Sequence, residues 1–132
     1  FYNQNIKYIL KDNYLYKNVN QWFNAGVAFY PSCGKQKLLM PVIVFIGELD
    51  EWLSPTNCKL WKQRDEEQIS SGLLQIFIYK NAHHGFNKEL FKKLERSTSK
   101  NHDYAGRAYQ YNEFADKDSE TKMLDFFETR LN

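Results

Sequence analysis

An α/β domain with a mostly parallel sheet is predicted by three features of this 132-residue chain. Two short apolar runs, residues 42–46 and 74–79, are separated by a stretch of helical length. The first is apolar on consecutive residues, the pattern of a strand covered by helices on both faces. Each run empties at its carboxyl end into a polar loop, Gly47-Glu48-Leu49-Asp50 after the first and Lys80-Asn81-Ala82-His83-His84-Gly85-Phe86 after the second. Parallel strands bring such loops together, and the crevice outside the carboxyl ends of the strands is where open α/β sheets bind ligands.

The remaining elements follow in order. Ile6, Ile9 and Leu10 have a helix-like spacing over residues 1–11, weakened by Asn3 and Asn5. Residues 13–24 read as a connection anchored by Tyr14, Tyr16, Trp22 and Phe23. Residues 25–30 form the first legible strand, ended by Pro31 and Gly34, and residues 35–40 form a loop. After the 42–46 strand, Ser54 is an N-cap with Pro55 at the first helical position, and Gly72 closes the helix. That helix carries Cys58, Leu60, Trp61 and Ile69 inward and Arg64-Asp65-Glu66-Glu67 toward solvent. Residues 88–95 read as helical through Leu90, Phe91 and Leu94, residues 97–103 as loop, and residues 104–112 show no period. A long excursion of this kind often shapes a pocket. Asp116 or Asp118 is expected to cap the last helix, with Met123, Leu124, Phe127 and Leu131 on one face.

Composition narrows the function classes. Hydrophobic and charged contents of 42% and 26% describe a globular domain, and nine Tyr and ten Phe supply a packed core. A net charge of +2 without a long basic block argues against nucleic-acid binding. No apolar stretch approaches the ~18 residues of a membrane span. No glycine-rich loop follows a strand, so phosphate binding is not expected. His83, His84 and His102 do not have the spacing of a metal set, and no cofactor is implied. Two cysteines, Cys33 and Cys58, are too few for a disulfide scaffold and lack CxxC spacing. The chain opens at Phe1 without the pattern of a signal peptide. With only three legible strands, it is read as part of a longer protein.

Asp50 and His84 are the candidate catalytic residues. A hydrolytic triad needs a nucleophile, a histidine to take its proton, and a carboxylate to fix the histidine's tautomer and stabilise its cation. In α/β hydrolases the chain order is nucleophile, acid, histidine, and these two fit the last two places.

The motifs Gly26-Val27-Ala28-Phe29-Tyr30-Pro31-Ser32-Cys33, then Pro41 to Gly47-Glu48-Leu49-Asp50-Glu51-Trp52, then Cys58, then Tyr79 to His83-His84-Gly85-Phe86 resemble the C-terminal half of the dienelactone hydrolase family. Tyr111-Asn112, Ala115 and Phe126-Phe127 resemble that family's close, so the likeness covers residues 25–132. The resemblance implies the C-terminal part of an α/β-hydrolase fold, with residues 1–24 as the end of the helix after the nucleophile elbow plus a connection. It implies hydrolysis of an ester or lactone carbonyl, with Asp50 as triad acid, His84 as triad histidine and His83 as a bystander. Trp52 and Phe86 either wall the substrate pocket or belong to the core.

The family's Gly-x-[Cys/Ser]-x-Gly elbow is not present in the chain. Ser32-Cys33-Gly34 lacks the leading glycine and follows the wrong strand, and Cys33 has no base or helix N-terminus beside it. The nucleophile is therefore expected upstream of Phe1. The resemblance also implies a Cys33–Cys58 disulfide, which would favour a periplasmic or secreted protein; without it a cytoplasmic one is expected. The partners implied are a small ester or lactone, and either the N-terminal portion or a second copy of the chain. The alternative is a non-catalytic truncated paralogue acting as a binding protein.

Overall fold

A computed structural model describes residues 23–131. The helix and connection expected over residues 1–24 lie outside the described residues, apart from Phe23 and Asn24. The order is β1 (Gly26–Phe29), β2 (Val42–Gly47), α1 (Pro55–Arg64), α2 (Glu66–Ser70), β3 (Leu74–Tyr79), a 3₁₀ turn (Glu89–Phe91), β4 (Glu95–Arg96), β5 (Ala108–Tyr109) and α3 (Glu113–Leu131).

The three longer strands form one parallel sheet in the order β1-β2-β3. Gly26 pairs with Val42 and Val42 with Leu74, so the strands start level and their carboxyl ends emerge on one side. All six residues of β2 are buried, as its uninterrupted apolar sequence predicts for a central strand. Side-chain alternation divides the core between two faces. Ala28, Val44, Ile46, Leu74 and Ile76 pack with Cys58 and Trp61 of α1. Val27, Ile43, Phe45 and Tyr79 pack with Phe86 and with Ala115 and Phe126 of α3. Helices on both faces of a parallel sheet make this the expected α/β architecture.

The connection from β1 to β2 contains no helix and is held by other means. Cys33 and Cys58 form a disulfide that ties it to the first turn of α1. Buried Gln68 accepts a hydrogen bond from Leu38 N (2.7 Å) and donates one to the Gln36 carbonyl (2.8 Å). The bridge closes 25 residues of chain, and a loop of that size constrains the unfolded state by about 3 kcal/mol. The Cys33→Ser/Cys58→Ser double variant is expected to lose about that much stability, read from urea midpoints, and a reductant should then shift the wild type but not the variant.

Three local expectations are corrected. The helix opening at Ser54, whose Oγ accepts from Asn57 N (3.2 Å), does not run to Gly72. Asp65 ends α1 and caps α2, its carboxylate accepting from Gln68 N, Gln68 Nε2 and Trp61 Nε1. These bonds hold the Asp65 carboxyl below the usual carboxylate range, the Gln68 side chain first among the causes. The charged run is therefore partly a capping network and not only a wet face. Residues 88–95 form no α-helix; Leu90 is 71% exposed, and Glu95–Arg96 pairs antiparallel with Ala108–Tyr109. α3 begins one turn earlier than expected, Asn112 Oδ1 accepting from Ala115 N (3.0 Å). Its inner face holds Ala115, Ser119 and Phe126, with Met123 and Phe127 half buried, whereas Leu124 and Leu131 are exposed.

Candidate active site

The carboxyl ends of β1, β2 and β3 each release a loop on one side of the sheet. After β2 the chain turns at once, Asp50 N donating to the Gly47 carbonyl (3.2 Å). After β3 it turns through Asn81, whose φ of 58° suits a residue that tolerates the left-handed region. The two turns are bonded to each other, Glu48 N to the Tyr79 carbonyl (2.8 Å) and Leu49 N to the Ala82 carbonyl (2.9 Å). Gly47 permits this approach. A β-carbon there would lie 2.1 Å from the Ala82 carbonyl oxygen.

This contact brings Asp50 and His84 together. His84 Nδ1–H donates to Asp50 Oδ2 at 2.9 Å. The other oxygen, Oδ1, accepts from Trp52 N (2.7 Å) and Leu53 N (2.9 Å). A carboxylate with both oxygens occupied has one orientation available, and the Asp50 side chain is fully buried. The His84 side chain is 20% exposed. With Nδ1 given to the carboxylate, Nε2 is the nitrogen left for a reacting group, and among the described residues no hydrogen bond reaches it.

Aromatic rings hold the imidazole on several sides. Tyr30 lies 4.4 Å away between ring centroids, Trp52 5.5 Å and Tyr109 5.7 Å. Burial pushes the Tyr30 and Tyr109 hydroxyls above the ordinary phenol range. Around His84 the loop is pinned by the β5 segment, Gln110 N to the His84 carbonyl (3.2 Å) and Asn112 N to the Phe86 carbonyl (2.9 Å). Gly85 sits at a φ of 73°, and a β-carbon there would meet the Phe91 ring at 3.0 Å. The acid loop is tied to the same segment. Trp52 Nε1 donates to the Ala108 carbonyl (3.2 Å), Ala108 N to Glu51 Oε2 (2.9 Å), and an Arg107 guanidinium nitrogen to the Trp52 carbonyl (3.1 Å).

A carboxylate hydrogen-bonded to a histidine, on loops after adjacent parallel strands, is an arrangement that hydrolytic triads use. The model of the dienelactone hydrolase family matches residues 14–131. The chain belongs to the dienelactone hydrolase family. A crystal structure described as "Putative Dienelactone Hydrolase from Klebsiella pneumoniae subsp. pneumoniae MGH 78578" superposes with a TM-score of 0.52 at 21% identity, over 80% of this chain and 42% of that one. At that identity the likeness concerns the fold, an α/β-hydrolase fold, and this chain spans under half the length of its structural relative. No curated protein matches the chain.

Measured against the expected dienelactone hydrolase site, the remaining candidates separate. Trp52 lies beside His84, half buried. Phe86 is fully buried and packs on Tyr30, Tyr79 and Phe29, so of its two expected places it occupies the core. His83 is half buried, and its Nδ1 atom is buried without a hydrogen-bond partner. Cys33 and Cys58 are bonded to each other. Tyr30 stands in the sequence only as part of the family-like motif at the end of β1, and Asn87 and Tyr109 were not singled out there; an aromatic or an amide identity is shared by many core and loop positions.

Proposed function

We propose that the intact protein is a carboxylic-ester or lactone hydrolase of the dienelactone hydrolase type, working through a triad of which this chain carries the acid and the histidine. The observation that carries it is the 2.9 Å bond from His84 Nδ1 to buried Asp50, on strand-end loops of a family member. The nucleophile, Cys or Ser, is assigned to a Gly-x-[Cys/Ser]-x-Gly elbow upstream of Phe1.

In the reaction the nucleophile adds to the carbonyl carbon while His84 Nε2 takes its proton. Asp50 holds the imidazole and stabilises its cation. Collapse of the tetrahedral adduct expels the alcohol, which receives the proton from His84. A water molecule then gives its proton to His84 as it attacks the acyl-enzyme, and the acid is released with the nucleophile regenerated. Trp52, beside the imidazole, is assigned to the substrate pocket.

The test is turnover of a short-chain nitrophenyl ester and of a simple lactone by the full-length protein. Turnover, together with an in-frame elbow upstream of Phe1, is the expected result. A folded full-length protein without either would favour the non-catalytic binding protein.

A further inference from the structure

We infer that Tyr30 is a positioning residue for His84, reaching from the end of β1 to clamp the histidine loop with both its ring and its hydroxyl. Tyr30 N continues the sheet ladder, donating to the Phe45 carbonyl (2.8 Å), but its φ is 53°. A bulky residue with positive φ is an outlier, and such backbone strain persists only where the surroundings hold it. Glycine or asparagine would satisfy a turn there at less cost. The tyrosine side chain is what the turn delivers.

That side chain touches the loop at three residues. Its ring lies 4.4 Å from the His84 ring and meets Phe86 edge-on at 5.1 Å. Its hydroxyl donates to Asn87 Oδ1 and accepts from Asn87 N (3.3 Å). Trp52 packs on the imidazole as well, at 5.5 Å between ring centroids, so two aromatic rings border the His84 ring beside its bond to Asp50. Burial, with the Asp50 charge nearby, keeps the phenol protonated and therefore a donor. Three residues further on, the Cys33–Cys58 bridge fastens this turn to α1. Tyr30 does not touch the reacting atoms in this scheme. It acts by keeping His84 against Asp50.

The inference rests on the proposed role of His84, but its first readout needs no turnover. The full-length protein labelled with nitrogen-15 in histidine is examined by NMR as wild type, Tyr30→Phe, Tyr30→Leu and Asn87→Ala, with circular dichroism as the check on folding. Neutral wild-type His84 is expected as a single tautomer protonated at Nδ1. Tyr30→Leu should give mixed tautomers or exchange-broadened signals, with kcat down about 10- to 100-fold and KM little changed. Tyr30→Phe, which keeps the ring, should restore the single tautomer with a loss of only a few-fold, and Asn87→Ala should match it. Folded Tyr30→Leu with wild-type His84 signals and wild-type kcat would overturn the inference. Should that variant not fold, Tyr30→Asn, which removes the ring and tolerates the positive φ, takes its place, and wild-type His84 signals in it would overturn the inference equally. Displaced His84 signals in the variants of a wild type without esterase activity would retain the positioning role and remove the hydrolase reading.

Discussion

Full-length protein carrying His84→Ala is expected to hydrolyse a short-chain nitrophenyl ester on the order of 10⁵- to 10⁶-fold more slowly than wild type. Each proton in the proposed cycle passes through Nε2, so the loss should fall on kcat and leave KM near its wild-type value. The fold should survive, because the loop is held by backbone bonds from Gln110 and Asn112 rather than by the imidazole. A melting curve close to wild type alongside the lost rate would separate chemistry from stability. Retention of the wild-type rate would end the proposal.

Gly47→Ala should produce the largest loss of stability from a single methyl group. The added carbon would meet the Ala82 carbonyl oxygen at 2.1 Å and its carbon at 2.6 Å. Both belong to backbone, so no side chain can rotate away. The β2–β3 turn contact must open, and the bonds of Glu48 N and Leu49 N open with it. Overpacking of this kind costs about 3 kcal/mol, readable as a lowered urea midpoint. Because the same contact carries Asp50 toward His84, the folded fraction should also lose the His84 Nδ1–H signal of the Asp50-bonded state. A variant with wild-type stability would show that the two loops approach less closely than described.

The sheet and the meeting of Asp50 with His84 were legible in the sequence for related reasons. A central strand buried on both faces announces itself by consecutive apolar residues, and β2 does so. A loop after such a strand must lie at the sheet's carboxyl edge, and that alone places Asp50 and His84 on one side. The disulfide was legible only through family resemblance, since two isolated cysteines have no spacing rule.

The misses have physical causes. Two-residue strands carry no period, so β4 and β5 were invisible, and Leu90 and Leu94 imitated a helix face that is in fact exposed. Asp116 and Asp118 looked like caps but are engaged elsewhere, accepting from the Tyr111 and Tyr79 hydroxyls (3.0 and 2.8 Å). Tyr30 precedes Pro31, and residues before proline are steered toward extended backbone. Nothing local announces its positive φ; contacts 57 residues away along the chain hold it.

Asp50 and His84 are expected to work as one unit, which a kinetic double-mutant cycle reads out. Asp50 Oδ1 accepts from two backbone amides, so Asp50→Asn should keep its oxygen there and turn its amide NH₂ toward His84. That would impose the wrong histidine tautomer and lower kcat by about 10⁴-fold. If the pair is one unit, Asp50→Asn combined with His84→Ala should lose little more than His84→Ala alone. Losses that multiply would rule out a single unit, because each residue would then act without the other.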